Sequence, residues 1–234
     1  MSLNFETSFL CVGVRGGSKE DLPFEFARVI ELPLKISLSK ARNELMRVFP
    51  PEVNEIIFFP DDDCWFGKDT LANVEILISN YDFAIGVIDT NGEENSSVGF
   101  ESQEAIDLET ALKTAASAAL FCRSESIIGY SFDEKLGLGT AIGSAEDLDL
   151  VLHLLSVHLK GVYSPNVRIG HPAKNKGMEY FPGSVAVLRK YTHIWRKAWI
   201  LIIRRIIHGV FYFIQNKLKF ATLFLAIRLA LKRF

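Results

Sequence analysis

The spacing of apolar and polar positions changes repeatedly along this chain, and each change predicts an element. Ser8-Phe9-Leu10-Cys11-Val12-Gly13-Val14 is a short apolar run suited to a buried strand, ended by the turn residues Arg15-Gly16-Gly17-Ser18. A short extended stretch follows near residues 27–32. Ser39 is read as the N-cap of a helix over roughly 40–48, because its hydroxyl can accept from an exposed first-turn amide, and Pro50-Pro51 ends that helix. Glu55-Ile56-Ile57-Phe58-Phe59-Pro60 reads as a strand running into three aspartates. Leu71, Val74, Ile76, Leu77 and Ile78 give residues 70–80 the pattern of a partly buried helix, followed by a strand over 82–89. Residues 91–110 are polar and loop-like, and 115–122 reads as a strand whose alanines also suit a helix. Ser144 is placed as the cap of a helix over about 145–159, with a last extended element over 163–169. Strands alternate with helices, which implies an α/β sheet with helices on both faces. Such sheets bind ligands beyond the carboxyl ends of their strands, where Asp61–Asp63 would lie.

Composition changes this picture toward the C-terminus. The chain has 234 residues, 49% hydrophobic and 23% charged, which suffices for one sizeable core plus an appendage. Cys11, Cys64 and Cys122 show no metal-ligand spacing and their odd number argues against a disulfide framework, so a reducing compartment is expected. No basic segment leading into a long apolar run opens the sequence, so no secretory signal is read. The net charge of −2 conceals an asymmetry: all 28 acidic residues fall at or before Glu179, whereas eleven of the 26 Lys and Arg follow Leu188. Residues 1–188 therefore set fifteen basic against 28 acidic side chains, a balance of −13, and the tail carries +11.

From Arg189 to His208 the charges at 189, 190, 196, 197, 204 and 205 fall on one helical face, with Ile194, Ala198, Trp199, Leu201, Ile202, Ile206 and Val210 over much of the rest. No uncharged run approaches the roughly 20 residues that span a bilayer. The tail is expected to form interfacial helices, broken near Gln215–Lys219 and resumed over 220–231. Trp195, Trp199, Phe211, Tyr212 and Phe213 suit the headgroup region, and the cations of 189–234 suit an anionic membrane surface. The alternative is a helix packed on the acidic domain with its cations facing carboxylates. Nucleic acid is not expected as a partner, because the apolar content is too high for a phosphate-tracking surface.

Asp61, Asp62 and Asp63 concentrate negative charge where an apolar strand meets the surface, a cost that a cation or a hydrogen-bond network can offset. Mg²⁺ and Mn²⁺, which prefer oxygen donors, are natural partners; a solvated turn or helix cap is the plain alternative. Glu146 and Asp147 open the helix capped by Ser144, where the positive helix end is expected to keep a carboxylate's pKa low. The stretch Gly129–Gly143 is punctuated by glycines around Asp133 and Glu134, which lets backbone approach a ligand closely or simply serves turns.

Four stretches taken together, Leu38-Ser39-Lys40-Ala41-Arg42-Asn43, Phe59-Pro60-Asp61-Asp62-Asp63-Cys64-Trp65, Phe132-Asp133-Glu134-Lys135-Leu136-Gly137-Leu138-Gly139 and Ala145-Glu146-Asp147-Leu148-Asp149, resemble bacterial family-2 glycosyltransferases of the GT-A type over roughly residues 8–175. The resemblance implies a GT-A-like, Rossmann-like mixed α/β sheet flanked by helices over 1–187, here followed by the basic amphipathic tail over 188–234. It implies Asp63 as a metal ligand, Asp61 sharing the metal or lying nearer the ribose, Asp62 in support, and His171 helping to hold the metal, Mn²⁺ or Mg²⁺, or the diphosphate. Arg42, Asn43 and Asp133 would flank the nucleotide-sugar donor, Asp147 would deprotonate the acceptor, and Glu146 would orient substrate or base. The family's opening strand and helix are lacking, and Val14-Arg15-Gly16-Gly17-Ser18 stands where Val-Asp-x-Gly-Ser is expected. A sheet edge left open by that loss invites a homodimer.

The resulting expectation is an inverting, metal-dependent transfer of sugar to an acceptor hydroxyl, with a lipid-linked saccharide best explaining the tail. That places the protein peripherally on the cytoplasmic face of a bacterial inner membrane, in cell-surface polysaccharide assembly. The alternative is a catalytically degraded scaffold that partners another membrane-associated transferase. Nucleotidyl transfer would want a longer glycine-rich phosphate loop than Arg15-Gly16-Gly17-Ser18 provides.

Overall fold

The computed structural model describes residues 10–15, 27–90, 102–172 and 180–232. The turn expected at Gly16–Ser18 and the loop around Asn91–Asn95 lie outside the described residues. Strand β1 (Leu10–Arg15) pairs in parallel with β2 (Ala27–Leu32) as a small sheet of its own. The main sheet has the order β3 (Ile56–Phe58), β7 (Leu120–Arg123), β5 (Phe83–Asp89), β8 (Gly161–Gly170), β4 (Trp65–Phe66), with β6 (Glu104–Ala105) also on β8. β5 and β8 are parallel, whereas β7 runs antiparallel to both β3 and β5, so β3, β5 and β8 end on one rim. The fold is thus the mixed α/β sheet that the motif resemblance implies.

Strand periodicity divides the apolar residues between two layers. Phe83, Ile85 and Val87 of β5 and Leu120 and Cys122 of β7 face one layer, while Ala84 and Phe121 face the other. The second face is covered by Val74, Leu77 and Ile78 of α2 (Thr70–Ile78). The first is covered by α3 (Leu108–Thr114), α5 (Glu146–Ser156), α6 (Phe181–Lys190) and the tail helices α7 (Lys197–Ile214) and α8 (Phe220–Leu231).

Local capping differs from the sequence reading in instructive ways. Helix α1 (Leu38–Val48) is capped by Ser37, whose side chain accepts from Lys40 N, while the buried Ser39 hydroxyl donates to Leu136 O at 2.7 Å. Ser144 does not cap α5; its hydroxyl reaches Tyr180 O at 3.4 Å, and Ala145 precedes the helix with a left-handed φ of 74°. The region read as loop contains β6 and α3, the latter capped by Asp107, which accepts from Glu109 N (3.0 Å) and Thr110 N (2.8 Å). Residues 117–119 form a 3₁₀ turn before β7, and a short helix α4 (Ser124–Ile127) follows it.

The tail is two-faced. Ala198, Leu201, Ile202, Leu223, Ala226 and Ala230 join the main core, so the tail helices pack on the domain. Lys197 and Arg204 reach Glu109 at 3.2 and 3.9 Å, and α6 runs unbroken through residues 187 and 188. The chain turns between α6 and α7, so the charges from 189 to 205 do not lie on a single helix. The outer face exposes Ile200, Ile203, Ile207, Phe211 and Ile214 of α7 and Phe220 and Phe224 of α8. No helix among the described residues is long and apolar enough to cross a membrane.

Candidate functional site

Three chain segments meet at the rim where β3 and β8 end. β3 delivers Asp61–Asp63, and a turn closed by Cys64 N donating to Asp61 O (3.2 Å) reverses the chain into β4. β4 runs antiparallel to the end of β8, with Trp65 opposite Gly170 and Phe66 opposite Ile169. Gly170 packs directly under the Trp65 ring, which a Cβ at this position would meet at 1.9 Å. One step further, the same register sets Cys64 against His171.

His171 is anchored by two hydrogen bonds: its backbone N–H donates to Asp89 O (3.0 Å), and its ring Nδ1–H donates to Pro172 O (2.7 Å). A carbonyl only accepts, so the proton sits on Nδ1. Nε2 is left facing Asp61 Oδ2 at 3.1 Å and Asp63 Oδ1 at 3.3 Å. The imidazole is 8% exposed and each carboxylate 36%, so the cluster opens to solvent on its acidic side. Asp63, Cys64 and His171 each present a ligand atom, and these atoms lie within 4.8 Å of one another. A neutral imidazole lone pair facing two carboxylates is repulsive unless a proton or a shared cation lies between them. Carboxylate, thiolate and imidazole donors converging in this way fit a divalent metal.

Behind the rim lies a buried ion pair. The Arg42 guanidinium, 4% exposed, sits over the rings of Phe59 and Phe132 (5.4 and 5.5 Å) with Nη1 3.5 Å from Glu146 Oε1. Burial pulls Arg42 below its ordinary pKa, against the opposing charges of Glu146, Asp147 and Asp61. Burial, and then Asp147, push Glu146 above the ordinary carboxylate range, outweighing a backbone hydrogen bond and Arg42. The helix-end expectation of a low pKa is therefore reversed at Glu146, because desolvation exceeds the macrodipole. Gly137, at φ +90°, brings the loop against this pair: a Cβ would lie 2.8 Å from Ser39 Oγ and 3.2 Å from Glu146 Oε2. Asp147, half-buried, accepts from Leu148 N at 2.7 Å.

A second acidic network joins α5 to α6. Lys190 Nζ is 2.8 Å from Oδ2 of the buried Asp149 and 3.8 Å from Asp133 Oδ2, and Tyr191 OH donates to Asp149 O at 3.2 Å. Burial raises the Asp149 pKa, with Lys190 opposing.

Of the residues singled out from sequence, Asp61, Asp63 and His171 converge at the rim, and Arg42 pairs with Glu146 beside Asp147. Asp62 is exposed at the turn. Asn43 clasps the loop, its amide donating to Phe132 O (3.0 Å) and accepting from Phe132 N (2.8 Å), while Asp133 belongs to the Lys190 network. Sequence reasoning missed Cys64. Its spacing to the other cysteines carries no metal signal, whereas its neighbours are the adjacent Asp63 and a histidine more than a hundred residues away. It also missed Lys190, which appeared only as one tail charge among many.

No family model and no curated protein matches the sequence. Solved structures do match in fold. Residues 1–349 of S. aureus TarS, crystallised in complex with UDP-GlcNAc, align over 72% of this chain and 51% of that one, at 14% identity and a TM-score of 0.52. A second S. aureus TarS crystal structure aligns over 71% of this chain and 29% of that one, at 15% identity and a TM-score of 0.51. The chain thus spans about half of the shorter TarS structure, and its fold is distantly similar to that of TarS.

Proposed function

We propose that this chain is a nucleotide-sugar-dependent, inverting glycosyltransferase. The observation that carries the reading is the convergence of Asp61, Asp63 and His171 at the strand-end rim, with Arg42–Glu146 and Asp147 behind it. The likeness in fold to TarS, crystallised with UDP-GlcNAc, makes a UDP-sugar the first donor to test. Asp61, Asp63 and His171 would hold a divalent cation, Mn²⁺ or Mg²⁺ by the motif resemblance, which when bound offsets charge on a departing diphosphate. In this reading the acceptor oxygen bonds to the anomeric carbon as the carbon–oxygen bond to the diphosphate breaks, and Asp147 takes the acceptor's proton. Glu146, steadied by Arg42, orients that base; Arg42, Asn43, Asp62 and Asp133 serve the donor side.

The same proposal divides the chain into a catalytic unit, 1–187, and a membrane-associating unit, 188–234, acting on a lipid-linked saccharide at the cytoplasmic face of a bacterial inner membrane. Its support is the apolar outer face of α7 and α8, flanked by the exposed Arg196, Lys217 and Lys219. Ile203→Asp/Phe211→Asp, on that outer face, is expected to abolish co-sedimentation with anionic vesicles while leaving the melting temperature nearly unchanged. Undiminished vesicle binding would remove the tail from the reading.

Calorimetry with UDP, GDP and TDP, with and without Mn²⁺, tests the donor site. UDP is expected to bind in a metal-dependent manner, and Asp63→Ala to weaken that binding by about tenfold or more. No nucleotide binding by the folded protein overturns the enzyme in favour of a non-catalytic scaffold.

A further inference from the structure

The rim cluster contains one donor atom that an oxygen-preferring site does not need. Cys64 Sγ lies with Asp63 and His171 in a group whose ligand atoms are all within 4.8 Å. Two independent features of the fold put it there: the Asp61–Cys64 turn, and the β4–β8 register that makes Cys64 the cross-strand neighbour of His171. His171 is already oriented as a ligand would be. Its Nδ1–H is fixed on Pro172 O, and its Nε2 faces the acidic side of the cluster.

We propose that Cys64 is a metal ligand, so that this centre is a mixed carboxylate–thiolate–imidazole site that takes Zn²⁺ in preference to Mg²⁺. The inference rests on the metal-dependent reading above and deepens it by naming the class of ion. A thiolate is a soft donor, poorly matched to Mg²⁺, which demands near-octahedral oxygen coordination and keeps several waters. Zn²⁺ accepts sulfur, nitrogen and oxygen together, and lies above Mn²⁺ in the order of divalent affinities. Metal binding at this site releases the thiol proton to solvent as the sulfur–metal bond forms, so affinity rises with pH.

Cobalt(II), which reports sulfur ligation optically, is the probe. Titrated into the full chain under reducing conditions, Co²⁺ is expected to produce a near-ultraviolet sulfur-to-cobalt charge-transfer band that Zn²⁺ abolishes and a large excess of Mg²⁺ does not. Cys64→Ser is expected to lose the band and to bind Zn²⁺ roughly 10- to 100-fold more weakly, with the far-ultraviolet dichroism of the folded protein retained. Co²⁺ binding without the band, at an affinity unchanged in Cys64→Ser, overturns Cys64 as a ligand while leaving Asp61, Asp63 and His171 as the metal-binding set. Failure of the wild-type protein to bind Co²⁺, Zn²⁺ or Mn²⁺ overturns both the inference and the metal-dependent reading.

Discussion

At the sheet rim, two carboxylates with side chains 36% exposed face an imidazole nitrogen; between α5 and α6, a carboxylate only 2% exposed faces an ammonium. Both are acid–base pairings, yet they serve different purposes because their exposure differs. Asp149 is deep enough that its charge must be answered within the chain, and Lys190 answers it at 2.8 Å whatever else is present. The rim carboxylates remain open on one side, and the histidine nitrogen between them can share a cation supplied from solution. Burial therefore separates a pairing that stabilises from one that is available for binding.

The most damaging way to break this contrast is Lys190→Met, which leaves the buried Asp149 carboxylate without its cation. The expected loss is about 3 kcal/mol, the low end for breaking a buried pair because Lys190 is itself partly exposed. Chemical denaturation measures it, and Asp149→Asn in the same chain is expected to restore most of the stability. The pH dependence has a definite sign. Burial holds Asp149 above the ordinary carboxylate range, so the folded chain keeps this proton to higher pH than the unfolded chain does. The contribution is full below the unfolded pKa and is lost as pH rises through the raised one, so the Lys190→Met defect shrinks on acidification. A loss that ignores pH would remove Asp149 from the explanation.

A smaller effect is expected at the rim from Gly170→Ala, whose methyl group collides with the Trp65 ring. Trp65 lies on the outermost strand and is 47% exposed, so it can swing away, at about 2 kcal/mol by the usual scale of overpacking. Because β4 holds Cys64 in register with His171, metal affinity should fall more than stability does. Equal falls would mean that the register does not set the cluster.

The smallest change is Asp107→Ala, the loss of the α3 cap, at about 1 kcal/mol near neutral pH. Asp107 inverts the pH sign of Asp149. Slight burial opposes its ionisation, but the amides of Thr110 and Glu109, together with Lys197, carry its pKa below the ordinary value. Its contribution is present above the unfolded pKa and lost as pH falls through the depressed one, so wild type and variant should converge in acid. Thermal melts across that range read the convergence directly.

How much of this was legible beforehand follows from how local each signal is. The α2 pattern, the β3 strand running into its aspartates, the start of α8 and the break before it depend on neighbouring residues, and they appear where the spacing predicts them. Caps were less legible, because a serine beside a helix start has two outlets for its hydroxyl. Ser39 and Ser144 both turn to distant carbonyls, Leu136 O and Tyr180 O, that no local pattern reveals. The tail's amphipathic pattern identified two faces but not which was taken. Packing of Ala198, Leu201 and Ile202 into the core made the domain one neighbour and left the other face outward.

By itself the sequence determined the run from α1 through β3, α2 and β5, the concentration of acid at the end of β3, the motif order that resembles a glycosyltransferase, and the split between an acidic body and a basic tail, but not β4, β6, α3 or α4. Those properties reside in composition and in spacings of a few residues, which backbone periodicity converts directly into local structure. Tertiary structure alone decided that Cys64 faces His171, that Glu146 is the counter-ion of Arg42 with its pKa raised rather than lowered, and that Lys190 belongs to Asp149. Each of these depends on strand register or on burial, and both are set by residues far apart in the chain.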